Sequence, residues 1–102
     1  MKMKNVTLSE PLIVGGKELV EITVRRRTVG DEEDAMQEAI RLDRANNSAT
    51  VELCLMSKLT RLPYDALRSL GRADYRKIKE ALALLEGGLE NGEDPMLTAG
   101  TD

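Results

Sequence analysis

The stretch "VRRRTVGDEED", Val24–Asp34, sets three arginines, a Thr-Val-Gly spacer and four acids side by side. It reads either as a basic patch for nucleic acid or as the point where a strand ends and a helix begins. Upstream, Val20, Ile22 and Val24 alternate with Glu21 and Thr23 at the period of two of a half-buried strand. Downstream, Asp31 is a good N-cap, and Glu32, Glu33 and Asp34 stand at the positive end of a helix dipole. The acids are therefore helix-start chemistry. Alternation along the strand points Arg26 opposite to Arg25 and Arg27, and no aromatic residue is interleaved for base stacking. Charges at a strand end serve instead to keep an exposed edge from pairing with other chains.

Working upstream, the segments 5–14 and 18–27 flank "VGGK" and predict a β-hairpin. Val6, Leu8 and Leu12 are even-numbered, as are Val20, Ile22 and Val24, so both sets share a face only in an even-against-even register. A two-residue Gly15-Gly16 loop fails that condition. A three-residue loop, Val14-Gly15-Gly16 with Gly16 left-handed, meets it and pairs Leu8 with Ile22 and Val6 with Val24. Pro11 lacks a ladder donor, so the first strand lies at an edge or breaks there.

Working downstream, four helices are expected. The first starts at Asp31 and ends by Asn46-Asn47, with Ala35, Met36, Ala39, Ile40 and Leu42 as its apolar stripe. The second is capped by Ser48 or Thr50 and runs to Thr60, with Val51, Leu55, Leu59 and Leu62 on one face and Leu53 and Met56 off it. Pro63 opens a short helix that reaches Leu70 and is closed by Gly71. The last, 73–86, gathers Tyr75, Ile78, Ala81, Leu82 and Leu85 and stops at Gly87-Gly88. The fold class is thus α+β: an N-terminal hairpin (5–27) and a bundle of three to four helices (31–86) in one domain (1–86), followed by a flexible tail (87–102) poor in burial.

Composition narrows the chemistry. The chain has 102 residues, two tyrosines, no Trp and no Phe, so its core is aliphatic and thin, which favours a partner or self-association. A formal net charge of -3 disfavours a phosphate-directed surface. Cys54 is the single cysteine and no histidine exists to activate it, so it reads as a small core residue, with neither a disulfide nor a zinc site. "VGGKEL" lacks the spacing and the Ser or Thr of a phosphate loop, and "DEED" lacks the alternation and central Gly of a calcium loop. Carboxylates on solvated helix faces lack the burial that acid catalysis uses. Neither an enzyme nor a cofactor is expected. No early apolar run has the length or flanks of a signal peptide or a membrane span, so a cytoplasmic protein is expected.

Three segments in this order resemble the tail assembly chaperones of long-tailed bacteriophages, in particular the Mu-like family also described as tail protein E. They are "VTLSEPLIVGGKELVEITVRRRTVGD", "LTRLPYDALRSL" and "GRADYRKIKEALALL", together covering 6–85. The resemblance implies a non-structural protein of a phage or prophage, made in the cytoplasm of the bacterial host and absent from the mature virion. Its partner would be the tape measure protein, kept soluble until tail tube subunits polymerise around it, and a programmed frameshift near the end of the gene would yield an extended form of the chain as a second partner.

A tape measure helix exposes an apolar stripe, and adaptable Leu and Met side chains suit its capture. The candidate partner-binding residues are Leu53, Met56 and Leu84, which lie off their helices' main stripes, followed by Met36 and Ile40. The competing function is a small DNA-binding regulator of phage or plasmid origin, using the arginine run and the basic positions from Arg61 to Arg76.

Overall fold

A computed structural model of the chain describes residues 3–87. Strands β1 (Met3–Val14) and β2 (Lys17–Arg25) form an antiparallel hairpin. Helices α1 (Val29–Arg41), α2 (Ser48–Thr60), α3 (Tyr64–Arg68) and α4 (Arg72–Glu86) follow, giving the α+β architecture expected. The expected flexible tail lies, from residue 88 on, outside the described residues. A two-stranded sheet is marginal in water, and here α2 packs on β2 while α4 crosses both strands, with α1 set against α2.

Gly15 and Gly16 make a two-residue turn with φ of 58° and 81°, the left-handed pair that a type I′ hairpin needs. The expected three-residue loop is therefore corrected, and so are its pairs: Val6 lies opposite Ile22, and Lys4 opposite Val24. The parity requirement still holds, but it is met inside β1. Between the pairs Thr7–Glu21 and Leu12–Leu19, the four residues Leu8, Ser9, Glu10 and Pro11 face Val20 alone. This bulge switches the register from even-against-odd near the turn to even-against-even beyond it, and Val6, Leu8, Leu12, Ile22 and Val24 are all buried. Val20, expected on the inner face, is 58% exposed, and Leu19 packs on the core instead.

Bulged backbone leaves amides without ladder partners, and a side chain from the other end of the chain takes them. Asp74, in the first turn of α4, is buried. Its Oδ1 accepts the Ser9 amide at 2.9 Å and the Ser9 hydroxyl at 2.8 Å, and its Oδ2 accepts the Glu10 amide at 3.4 Å. One turn on, Lys77 donates to the Thr7 carbonyl at 3.1 Å, so α4 is pinned across the irregular part of β1.

The junction that opened the sequence reading is built on Asp31, though not as the N-cap. Thr28 caps α1 and Asp31 is its N3 residue: the Thr28 hydroxyl accepts the Asp31 amide, and Asp31 Oδ2 accepts the Thr28 amide at 2.8 Å. The same carboxylate receives both Arg25 terminal nitrogens, at 2.7 and 2.8 Å, which ties the end of β2 to the start of α1. Other ends shift by a few residues. Asn47, rather than Ser48 or Thr50, caps α2 through the Thr50 amide, and α1 stops at Arg41, short of Asn46.

The amides and hydroxyl on Asp74 hold its carboxyl below the usual carboxylate range, the Ser9 amide contributing most, and Arg25 does the same for Asp31. A carboxylate depressed in the folded state stabilises fully above its unfolded pKa of ~3.9 and loses that contribution as pH falls through its folded value. Asp74→Asn sets an NH2 donor against the bulge amides. It is expected to lower the urea midpoint at neutral pH and to flatten the loss of stability below about pH 4; urea titrations across that range check it, and an unchanged acid dependence would count against the clamp.

Candidate functional site: a groove between α2, α3 and α4

On α2, Ala49, Glu52 and Leu53 face α4, and on α4 the residues Arg72, Tyr75, Arg76, Lys79, Glu80 and Ala83 recur at three- and four-residue steps along one side. Leu67 of α3 and the following Leu70 complete an open groove of about 700 Å³. Leu53, Leu67, Leu70 and the small Ala49 and Ala83 make its apolar lining, and Arg68, Arg72, Arg76 and Lys79 edge it with positive charge.

One polar bridge spans it. The Tyr75 hydroxyl donates to Glu52 Oε2 at 2.7 Å, and Lys79 Nζ stands 3.3 Å from the same oxygen and 5.8 Å from the Tyr75 ring centre. Burial pushes the half-buried Tyr75 phenol well above its ordinary range, and the bond to Glu52 adds to the shift. The bridge holds α2 and α4 at a fixed separation while leaving the apolar lining open.

The arginine run is occupied with structure. Arg25 is bound to Asp31, and Arg27 Nε lies 2.7 Å from Glu86 Oε2 and 3.5 Å from Glu32 Oε2. Two of the three cations are thus neutralised by carboxylates. Cys54 is 1% exposed, and burial pushes its thiol up. Among the described residues no cluster of His, Cys, Asp and Glu could hold a metal ion, and no helix is long and apolar enough to cross a membrane.

A model of the family described as "Phage tail assembly chaperone proteins, E, or 41 or 14" matches residues 5–87, the hairpin and all four helices. The chain belongs to this family. No curated protein and no solved structure matches it. In this chaperone, the segments that carried the resemblance supply the bulge and its clamp, the α2–α3 corner and the α4 wall of the groove.

The five residues singled out from sequence do not converge. Leu53 alone lines the groove. Met36 and Ile40 are 41% and 55% exposed on α1, and Leu84 is 41% exposed on α4 beside the groove's Ala83. Met56 is corrected outright: it is 1% exposed, because α2 is covered on one side by α1 and on another by β2, so a residue off the main stripe is still interior. Tyr75, Leu70 and Ala83 were missed as site residues. The signal available was the run Arg72, Arg76, Glu80 and Ala83, whose small last member leaves space on a helix face otherwise set with long side chains.

Met56→Asp puts an unpaired carboxylate into the core and is expected to abolish the cooperative thermal transition seen by circular dichroism, whereas Met56→Ala costs about 2–5 kcal/mol. In an ultraviolet pH titration, Tyr75 is expected to ionise well above the ordinary tyrosine pKa of ~10. Tyr75→Phe removes that late step; its persistence in the variant would show that the assignment is wrong.

Proposed function

We propose that this chaperone binds the tape measure protein through the α2–α3–α4 groove and keeps it soluble and assembly-competent during tail morphogenesis. The observation that carries this reading is the open apolar lining of Leu53 and Leu70, flanked by Ala49 and Ala83, between helices held apart by the Tyr75–Glu52 bridge. An amphipathic helix laid in such a groove buries its apolar stripe against leucines and shields it from other copies of itself.

The role is one of binding rather than catalysis. Asp31, Asp74 and Tyr75, which burial and hydrogen bonds hold away from their ordinary titration, are each committed to contacts that hold the fold together, and the Cys54 thiol, pushed up by burial, lies in the core. The remaining elements of the reading are action in the cytoplasm of the bacterial host, absence from the mature virion, self-association, and a frameshifted longer form sharing the same groove. Exposed Met36 and Ile40 on α1 are available for self-association.

Ala83 is exposed, so Ala83→Asp is expected to leave the thermal midpoint nearly unchanged while cutting the yield of soluble tape measure protein on co-expression several-fold. Ile40→Asp, on the far helix, should leave that yield intact. The reverse pattern would move the client to α1, and titration of duplex DNA at two ionic strengths, with tight salt-sensitive binding, would favour a DNA-binding protein instead.

A further inference from the structure

A second apolar surface lies on α1. Val29, Met36 and Ile40 are 83%, 41% and 55% exposed, and with Glu33 they recur at steps of four, three and four residues, so the four share one side of the helix. The opposite side, with Ala35 and Ala39, is buried where α1 packs on α2. The outward face is acidic as well as apolar: among the described residues Glu33 and the neighbouring Asp34 have no cation within ion-pair distance.

The groove is alike in polarity and opposite in charge. Its half-buried Leu53 and Leu70 are edged by Arg68, Arg72 and Arg76. Among the described residues other cations, Arg26, Arg44 and Arg61 included, also go without a carboxylate; what sets this rim apart is the open leucine lining beside it. The lengths agree too. The thirteen residues of α1 make a helix about 20 Å long, and the groove wall from Arg72 to Ala83 is about 17 Å long.

We propose that the outward face of α1 in one molecule seats in the α2–α3–α4 groove of a second copy, with Met36 and Ile40 on Leu53 and Leu70, and Glu33 and Asp34 toward Arg72 and Arg76. The contact is between molecules, because α1 is held on α2 by its inner side and cannot turn its outer side to its own groove. This docking deepens the reading of the groove as the client site: a client helix must take the groove from a neighbouring copy. Face and groove are different surfaces, so the contact is head-to-tail and adds copies one after another, into a ring or an open chain. Salt screens its exposed charges and weakens it.

The test is the mass of the 102-residue chain by analytical ultracentrifugation. At low ionic strength the weight-average mass is expected to climb above the 11.3 kDa monomer as concentration rises, and to fall back in high salt. Ile40→Asp spoils the face and Ala83→Asp the groove; each variant alone should stay monomeric, with a nearly unchanged thermal midpoint. Mixed in equal amounts the two should reach twice the monomer mass and stop there, since one sound face meets one sound groove. A wild-type chain that stays monomeric overturns the docking, as does a mixture that stays monomeric or an Ala83→Asp chain that still associates. The two proposals fail separately. A monomeric wild type with Ala83→Asp still cutting the yield of soluble tape measure protein removes the docking and keeps the client; a mixed dimer with Ala83→Asp harmless to that yield removes the client and keeps the docking.

Discussion

A single carboxylate holds the architecture in register. β1 carries three residues too many for its partner, and without a ligand for the freed amides that bulge would be an opening for water. Asp74 supplies the ligand, taking the Ser9 amide and hydroxyl and the Glu10 amide, and in doing so it fixes where α4 lies on the hairpin. The position of α4 in turn sets the distance to α2, and that distance is the groove. A buried hydrogen-bonding group in the first turn of α4 thus determines the shape of the surface that its neighbours Arg72, Tyr75 and Arg76 line.

The arginine-rich junction works by the same economy of charge. Asp31 closes the capping box of α1 and receives the Arg25 guanidinium, while Arg27 reaches Glu86 at the end of α4. The run that reads as basic in one dimension is largely neutralised in three. Among the described residues Arg26, Arg44 and Arg61 also lack a carboxylate within ion-pair distance, but it is Arg68, Arg72 and Arg76 of α3 and α4 that gather around an apolar lining. That placement marks the groove as the surface where the molecule has both nonpolar area and charge to offer a partner.

Much of the fold was legible because local chemistry and burial agree. The hairpin, Pro63 as a boundary, and the stripe of Ile78, Ala81, Leu82 and Leu85 follow from periodicity and backbone preference, and each is buried or placed accordingly. The even-against-even condition on the strands was also sound, yet its solution was assigned to the turn. Nothing within β1 announces that Ser9 and Glu10 will find a carboxylate 65 and 64 positions away. Val20 was misplaced for that reason, since its outward direction depends on the bulge opposite.

The candidate site was less legible. A stripe assigns a helix one inner face, but α2 has neighbours on several sides, and so Met56 lies in the core while Leu53 lines a groove. What the linear chain decided was the list of elements, their caps to within a few residues, and the lack of histidine and paired cysteine, because these depend on neighbours in sequence and on composition. Which leucines stay open, which arginines go without a carboxylate partner and where the strand changes face depended on long-range contacts, above all on Asp74 meeting Ser9. Those energies exist only once distant segments have come together.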